Sequence, residues 1–353
     1  MKKLDHYGIR GCLNDWFKSY LKDRKQFVSI DGYNSSETVI KHGVPQGSVL
    51  GPLLFLIYIN DLNLAIKNCL TYHFADDTNL LGIGKSSKKI QKQINIDLKH
   101  LVSWLLANKI SLNKTNTELF RKPRQCIDFK ICIKLNGHKI SPSSTIKYLG
   151  IFLDETLSGN AQCSVVIDKL IRANAMLSII RHYVPHDKLV SIYHAIFASH
   201  MTYPCQIWGQ NEKNLLFVQI SRLQKRAIRL ITFSPYDAHT DPLFKELKIL
   251  KLEDQISLYN SLLVHDFSCD ELPTSFDNYF TLCSELYDTD TRRHAGAVFV
   301  PQVASKRYGR QSIKLSSILI WNHLSEVLDQ NLFNLTKAKL KTTLTKHFLN
   351  SYS

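Results

Sequence analysis

The sequence predicts an α+β protein, and three observations carry that prediction. Strand-like alternation and turn signals crowd into residues 1–155. Helical apolar stripes dominate residues 156–235, and residues 236–353 carry weaker, mainly helical signals. These boundaries define three expected regions.

The elements follow in order. Trp16, Phe17, Tyr20 and Leu21 recur at helical spacing, and "QFVSI" then alternates as a strand. "DGYNSS" is a turn and "ETVIKHGV" a second strand, so a hairpin is expected across residues 25–44. Gly43, Pro45 and Gly47 make a tight loop. Ser48 can cap the helix that follows, and Pro52 is tolerated only in its first turn. From Leu53 to Ile59 that helix is apolar all round, which predicts burial. "TYHFADDTNLLGIG" reads as strand, turn, strand, with Asp76 and Asp77 at the turn. Residues 86–109 form a long amphipathic helix, and short strands are expected within 130–137 and 146–154.

The pattern then turns helical. Val166, Leu170, Ala173, Leu177 and Ile180 form one apolar stripe, ended by Pro185. A second helix runs from about Lys188 to Pro204. A third, "LLFVQISRLQKRAIRLIT", gathers Ile220, Leu223, Ala227 and Leu230 on one face and Arg222, Lys225, Arg226 and Arg229 on the other. "TFSPYDAHTDP" is a linker candidate.

Composition narrows the class. The chain has 353 residues, of which 44% are hydrophobic and 21% charged, enough for sizeable cores and too apolar for disorder throughout. The formal net charge of +15 favours polyanionic partners, nucleic acid before an anionic membrane surface. The eight cysteines form no CxxC pair, which fits free thiols in a reducing compartment. His265, Cys269, Cys283 and His294 are loosely grouped, but their spacings do not match a zinc finger. The N-terminus is too polar for a signal peptide, and the run "VLGPLLFLIYI" is too short to span a bilayer. The expectation is a soluble, intracellular protein of the nucleus or cytoplasm with no membrane partner. Its oligomeric state is left open.

Asp76 and Asp77 pose the chemical question, because adjacent acids between apolar residues need a partner. Transfer of nucleotidyl groups commonly uses two divalent ions about 3.5–4 Å apart, held by carboxylates from separate elements. Magnesium suits such oxygen donors. A hairpin tip exposes the acids while the flanking strands fix them, and the ions cancel their mutual repulsion. Alone, "FADD" is a short string that recurs by chance.

Its neighbourhood changes this. "GVPQGSVLGPLLFLIYINDL" followed closely by "YHFADDTNLL" strongly resembles the reverse transcriptase of non-LTR, LINE-type retrotransposons, especially the jockey-like group, over roughly residues 1–235. The resemblance implies a right-hand polymerase: a partial fingers–palm with an antiparallel sheet over 1–155, a helical thumb over 156–235, and a C-terminal extension of unknown role. It implies an RNA template, a DNA primer, deoxynucleoside triphosphates and two Mg2+ ions. Asp76 matches the principal metal ligand and Asp77 the second acid, both thus catalytic. Gly43, Pro45, Gln46, Gly47 and Ser48 match the loop that contacts template and incoming nucleotide; glycines there allow close backbone approach. Tyr148, Leu149 and Gly150, preceded by Lys147, resemble the primer-grip strand. Arg222, Lys225, Arg226 and Arg229 would meet a duplex backbone, although a solvated charged face fits them equally. Arg292, Arg293, Lys306, Arg307 and Arg310, near Phe299 and Tyr308, fit nucleic-acid contact or a helical domain without activity.

The resemblance also marks departures. Asn116 stands where the family has a lysine thought to protonate the leaving pyrophosphate, with Lys114 two residues away. The third carboxylate of the metal site comes, in the family, from an upstream strand ending roughly "AFD", shortly before text like "KKLDHYGIRG". This chain begins at that text, so the expectation is an N-terminally truncated chain without the first catalytic Asp, and without the endonuclease domain or zinc knuckle. Asp5, Asp15, Asp23 and Asp31 have the wrong surroundings to replace it, and Asp61 suits a structural part. Two readings follow: an RNA-directed DNA polymerase, or a catalytically inactive remnant that at most binds nucleic acid. The second would leave an unpaired strand edge beside Tyr72 and Phe74.

Overall fold

A computed structural model describes residues 1–40, 43–45, 47–112, 117–118, 120, 131–286, 296–303, 305, 309 and 311–352. Gln46, Lys114, Asn116, Arg292, Arg293, His294, Lys306, Arg307, Tyr308 and Arg310 lie outside the described residues. The chain forms two compact units, one of Met1–Thr117 with Arg124–Ser143, the other of Glu118–Pro123 with Ser144–Ser353.

The first unit mixes helices with two-stranded antiparallel ladders. Lys25–Gln26 pairs with Thr38–Val39, and Ser29–Ile30 with Tyr33–Asn34, around Asp31 and Gly32. Both turn residues have positive φ, 50° and 85°, the geometry that matches the twist of a tight hairpin and suits Asp-Gly. The acid hairpin pairs Leu70–Phe74 with Asp77–Leu81. A third pairs Ile133–Leu135 with His138–Ile140. The expected antiparallel sheet is therefore not continuous: each ladder among the described residues has two strands. Hairpins close locally, and a wider sheet needs a further strand, which none of these edges receives among the described residues.

Two helices flank the acid hairpin along the chain. Leu50–Ile59 carries Pro52 in its first turn, where a missing N–H costs nothing. Ser48 was expected to cap it; the N-cap is Val49, and Ser48, one residue earlier, accepts the Gly51 N–H at 3.0 Å through its Oγ. The predicted all-round burial fails, however. Gly51, Leu54 and Ile59 are buried, while Leu53 and Leu56 are exposed. Among the described residues, it packs on Lys2–His6 and on Asn60–Ala65. The 21-residue helix Ser87–Ala107 buries Asp97, Leu98, Leu101 and Leu105 on one stripe.

The second unit is mostly helical. Asn160–Ile180 packs along Leu215–Ile231. The stripe Val166, Leu170, Ala173 and Leu177 is buried, joined by Phe217, Ile220, Ala227 and Ile228. The helix expected from about 188 runs from His186 to Thr202, with a π turn at His194–Ala198. Phe244, Leu252, Ile256 and Tyr352 belong to this same core. The stretch read as a linker is a short pinned connection: Arg229 Nε donates to Ala238 O at 2.9 Å, and Thr240 is buried. A second core gathers Leu258, Val264, Ile318, Trp321, Leu340 and Leu344. The last turn is anchored by Tyr352, whose hydroxyl donates to Asp254 Oδ2 at 2.5 Å and accepts the Lys251 N–H at 2.9 Å.

Candidate active site

The acid hairpin has a two-residue turn, since Phe74 pairs with Asp77. Ala75 in that turn has φ 51°, a left-handed conformation uncommon outside glycine, asparagine and aspartate. Asp76 and Asp77 are exposed at the tip. Leu70, Tyr72 and Phe74 alternate onto one face and are exposed, Phe74 by 62%. Thr71 and His73 point to the other.

That other face is tied to the segment after the apolar helix. Thr71 Oγ1 donates to Asn63 Oδ1 at 2.7 Å, and His73 Nε2 bonds the same oxygen at 2.5 Å. An amide oxygen only accepts, so Nε2 carries the proton and Nδ1 faces Thr78 Oγ1 at 3.2 Å. Burial holds the His73 imidazole below its ordinary pKa.

The base of the hairpin is held by Asp97. This fully buried carboxylate accepts the N–H groups of Lys67, Asn68 and Cys69 and the Asn68 side-chain amide, at 2.8–3.3 Å. Burial alone would raise its pKa; the hydrogen bonds from Asn68, Lys67 and Cys69 outweigh burial and lower it. The Cys69 thiol is pushed up to about 12, by burial first and by Asp97 second. Asp97 was not singled out from sequence. The signal was there: an acid on the apolar stripe with Ile94, Leu98, Leu101 and Leu105.

Asp61, for which a structural part was expected, pairs with Lys3. Lys3 Nζ lies 2.7 Å from its carboxylate, 2.5 Å from Tyr58 O, and over the Tyr58 and Trp104 rings at 4.7 and 4.8 Å. Among the described residues, no group of three or more His, Cys, Asp or Glu side chains is placed to hold a metal ion. Two neighbouring acids on one turn do not complete a two-ion donor set, which draws on separate elements.

In the loop before the apolar helix, Gly43 and Gly47 have φ 90° and 78°. Ser48 Oγ donates to Pro45 O at 2.7 Å while accepting from Gly51. The loop is thus closed onto the helix start.

Residues 148–150 lie in the second unit. Tyr148 ends one strand and Ile151 starts the next, so Leu149 and Gly150 are a hairpin turn where a strand was expected. Their φ values are 45° and 85°. Tyr203, also unremarked in the sequence, donates its hydroxyl to Leu149 O at 2.8 Å. On the basic helix Arg222, Lys225 and Arg226 are exposed, whereas Arg229 is half-buried and spends its Nε on Ala238.

Residues 1–153 match the family model of reverse transcriptase, RNA-dependent DNA polymerase. The match is confined to this segment, and the chain is similar to RNA-directed DNA polymerases of mobile elements. It is 30% identical over 254 residues to the RNA-directed DNA polymerase from mobile element jockey of Drosophila melanogaster, a match covering 68% of this chain and 27% of that protein. The probable RNA-directed DNA polymerase from transposon BS of the same organism is 30% identical, over 72% of this chain and 29% of its own length. That from transposon X-element is 29% identical, over 69% and 27%. The chain thus spans little more than a quarter of these relatives.

Proposed function

We propose that this chain carries the nucleotide- and primer-handling surfaces of an RNA-directed DNA polymerase that extends a DNA primer on an RNA template. The observation that supports this most is the acid hairpin, with Asp76 in its exposed two-residue turn and Asp77 next to it; Asn63 ties its first strand and Asp97 the segment just before that strand. In this reading residues 1–155 serve as part of the fingers–palm, 156–235 as the thumb and 236–353 as an extension of unassigned role. Gly43, Pro45, Gln46, Gly47 and Ser48 meet template and incoming deoxynucleotide. Tyr148, Leu149 and Gly150 meet the primer end, and Arg222, Lys225 and Arg226 meet the duplex backbone. Asp76 and Asp77 supply two of the carboxylates for Mg2+, and the described residues supply no complete centre. Such a polymerase works in the nucleus or cytoplasm; among the described residues, no helix is long and apolar enough to cross a membrane.

A second reading is binding without chemistry. It is favoured by the lack of a three-donor cluster among the described residues. Primer extension on a primed RNA template, with deoxynucleotides and magnesium, separates the two. Extension that vanishes in Asp76→Ala supports the polymerase. No extension, with salt-sensitive binding of the primed template retained, supports the second reading. Absence of both sinks the proposal.

A further inference from the structure

The Leu149–Gly150 turn is held in a conformation that one of its residues does not favour. Gly150 accepts φ 85° freely, but Leu149 at φ 45° does not. A bulky side chain in the left-handed region costs on the order of 1–3 kcal/mol and persists only where its surroundings impose it. A two-residue turn with both φ values positive normally carries Asn-Gly or Asp-Gly. This chain places those pairs at two other hairpins, Asp31-Gly32 and Asn136-Gly137. At the third it has a leucine.

Tyr203 supplies the outside support. Its hydroxyl donates to the Leu149 carbonyl at 2.8 Å. Its ring edge lies 3.4 Å from where a Cβ on Gly150 would stand. The ring therefore covers the turn, and its hydroxyl satisfies the carbonyl that the turn presents. Tyr203 itself is firmly placed. It precedes Pro204, which favours the extended backbone it adopts at φ −88°, ψ 129°. Its neighbours Met201 and Cys205 are buried in the helical core, yet its own side chain is 56% exposed. An exposed tyrosine spanning 54 residues of sequence to bond one turn carbonyl contributes little burial. What it fixes is the direction of the turn.

We infer that Tyr203 is a positioning residue for the primer 3′ end, acting by locking the Leu149–Gly150 turn against the helical core. This rests on the reading of residues 148–150 as the primer contact. Loss of the hydroxyl leaves the turn free to move while the duplex is still held through backbone phosphates.

The test uses the full chain with Tyr203→Phe and a DNA primer annealed to RNA, carrying 4-thiothymidine at the primer 3′ terminus. Three quantities are read: duplex affinity by fluorescence anisotropy, photocrosslinking to residues 148–150, and hydrogen exchange at the Ile151 amide without nucleic acid. The inference expects duplex affinity within twofold of the parent chain. It expects crosslink yield to fall by about fivefold and Ile151 exchange to rise by about the same, the effect of one hydrogen bond. If the parent crosslinks at 148–150 and the variant matches it, or if Ile151 protection is unchanged, the inference is overturned and the primer reading stands. If the parent binds the duplex but crosslinks elsewhere, or does not bind it, the primer reading fails and the inference fails with it. A variant whose unfolding temperature drops by more than a few degrees shows a general structural role, which also overturns the inference.

Discussion

The Asp97 carboxylate accepts the Cys69 backbone N–H at 2.8 Å from a position with no solvent exposure. With its bonds to Lys67 and Asn68, it closes three consecutive amides just before the strand that leads to Asp76. A long helix and the acid hairpin are thereby fastened at one point. Asp97→Ala removes hydrogen bonds to a charged group and leaves buried N–H donors unpaired, a loss of about 3 kcal/mol. Amide exchange at residues 67–69 should accelerate together, measured by mass spectrometry on the variant and the parent.

The same carboxylate sets an acid limit. Its folded pKa is lowered, so its contribution is fully present above the unfolded carboxylate value of about 3.9 and is lost as pH falls through the folded value. Urea midpoints taken from pH 7 down to pH 3 should therefore fall more steeply below about pH 4 in the parent than in Asp97→Asn. Equal acid slopes would remove Asp97 from the explanation.

The basic helix divides in two. Arg222, Lys225 and Arg226 are exposed, so converting all three to alanine should leave stability nearly unchanged and flatten the salt dependence of duplex binding by up to about three counterions. Arg229 differs, because its Nε donates to Ala238 O. Arg229→Ala should lower the unfolding temperature and change the salt slope little. The reverse pattern would mean that the exposed cations are only a solvated face.

Gly150→Ala is the sharpest probe of the turn. It forces a Cβ at φ 85° and within 3.4 Å of the Tyr203 ring. The expected cost is roughly 1–2 kcal/mol, seen as a fall of a few degrees in the unfolding temperature. Gly32→Ala, with nothing within 4 Å of its added Cβ, tests the backbone component alone and should cost less.

Much of the architecture was legible in the sequence because it is local. Apolar spacing at Val166, Leu170, Ala173 and Leu177 is a property of one helix, and it is buried as read. Asp76 falls in the turn, and Asp77 opens the strand after it, because the flanking strands alternate and the turn closes between neighbours. The bond from the Gly51 N–H to Ser48 Oγ spans three residues. The resemblance, too, was carried by contiguous text, and residues 1–153 match the reverse transcriptase family model.

What the sequence alone did not decide involves partners far apart along the chain. Leu53 and Leu56 are as apolar as Leu54, yet they are exposed and it is buried. Arg229 has the same charge as Arg226, and a carbonyl nine residues on gives it a different task. Asp97 and Tyr203 bond residues 28–30 and 54 positions away. Periodicity and spacing report the neighbours that a residue has by covalent connection. Which distant carbonyl or amide it meets is set by how helices and hairpins pack, and that was decided only in the tertiary structure.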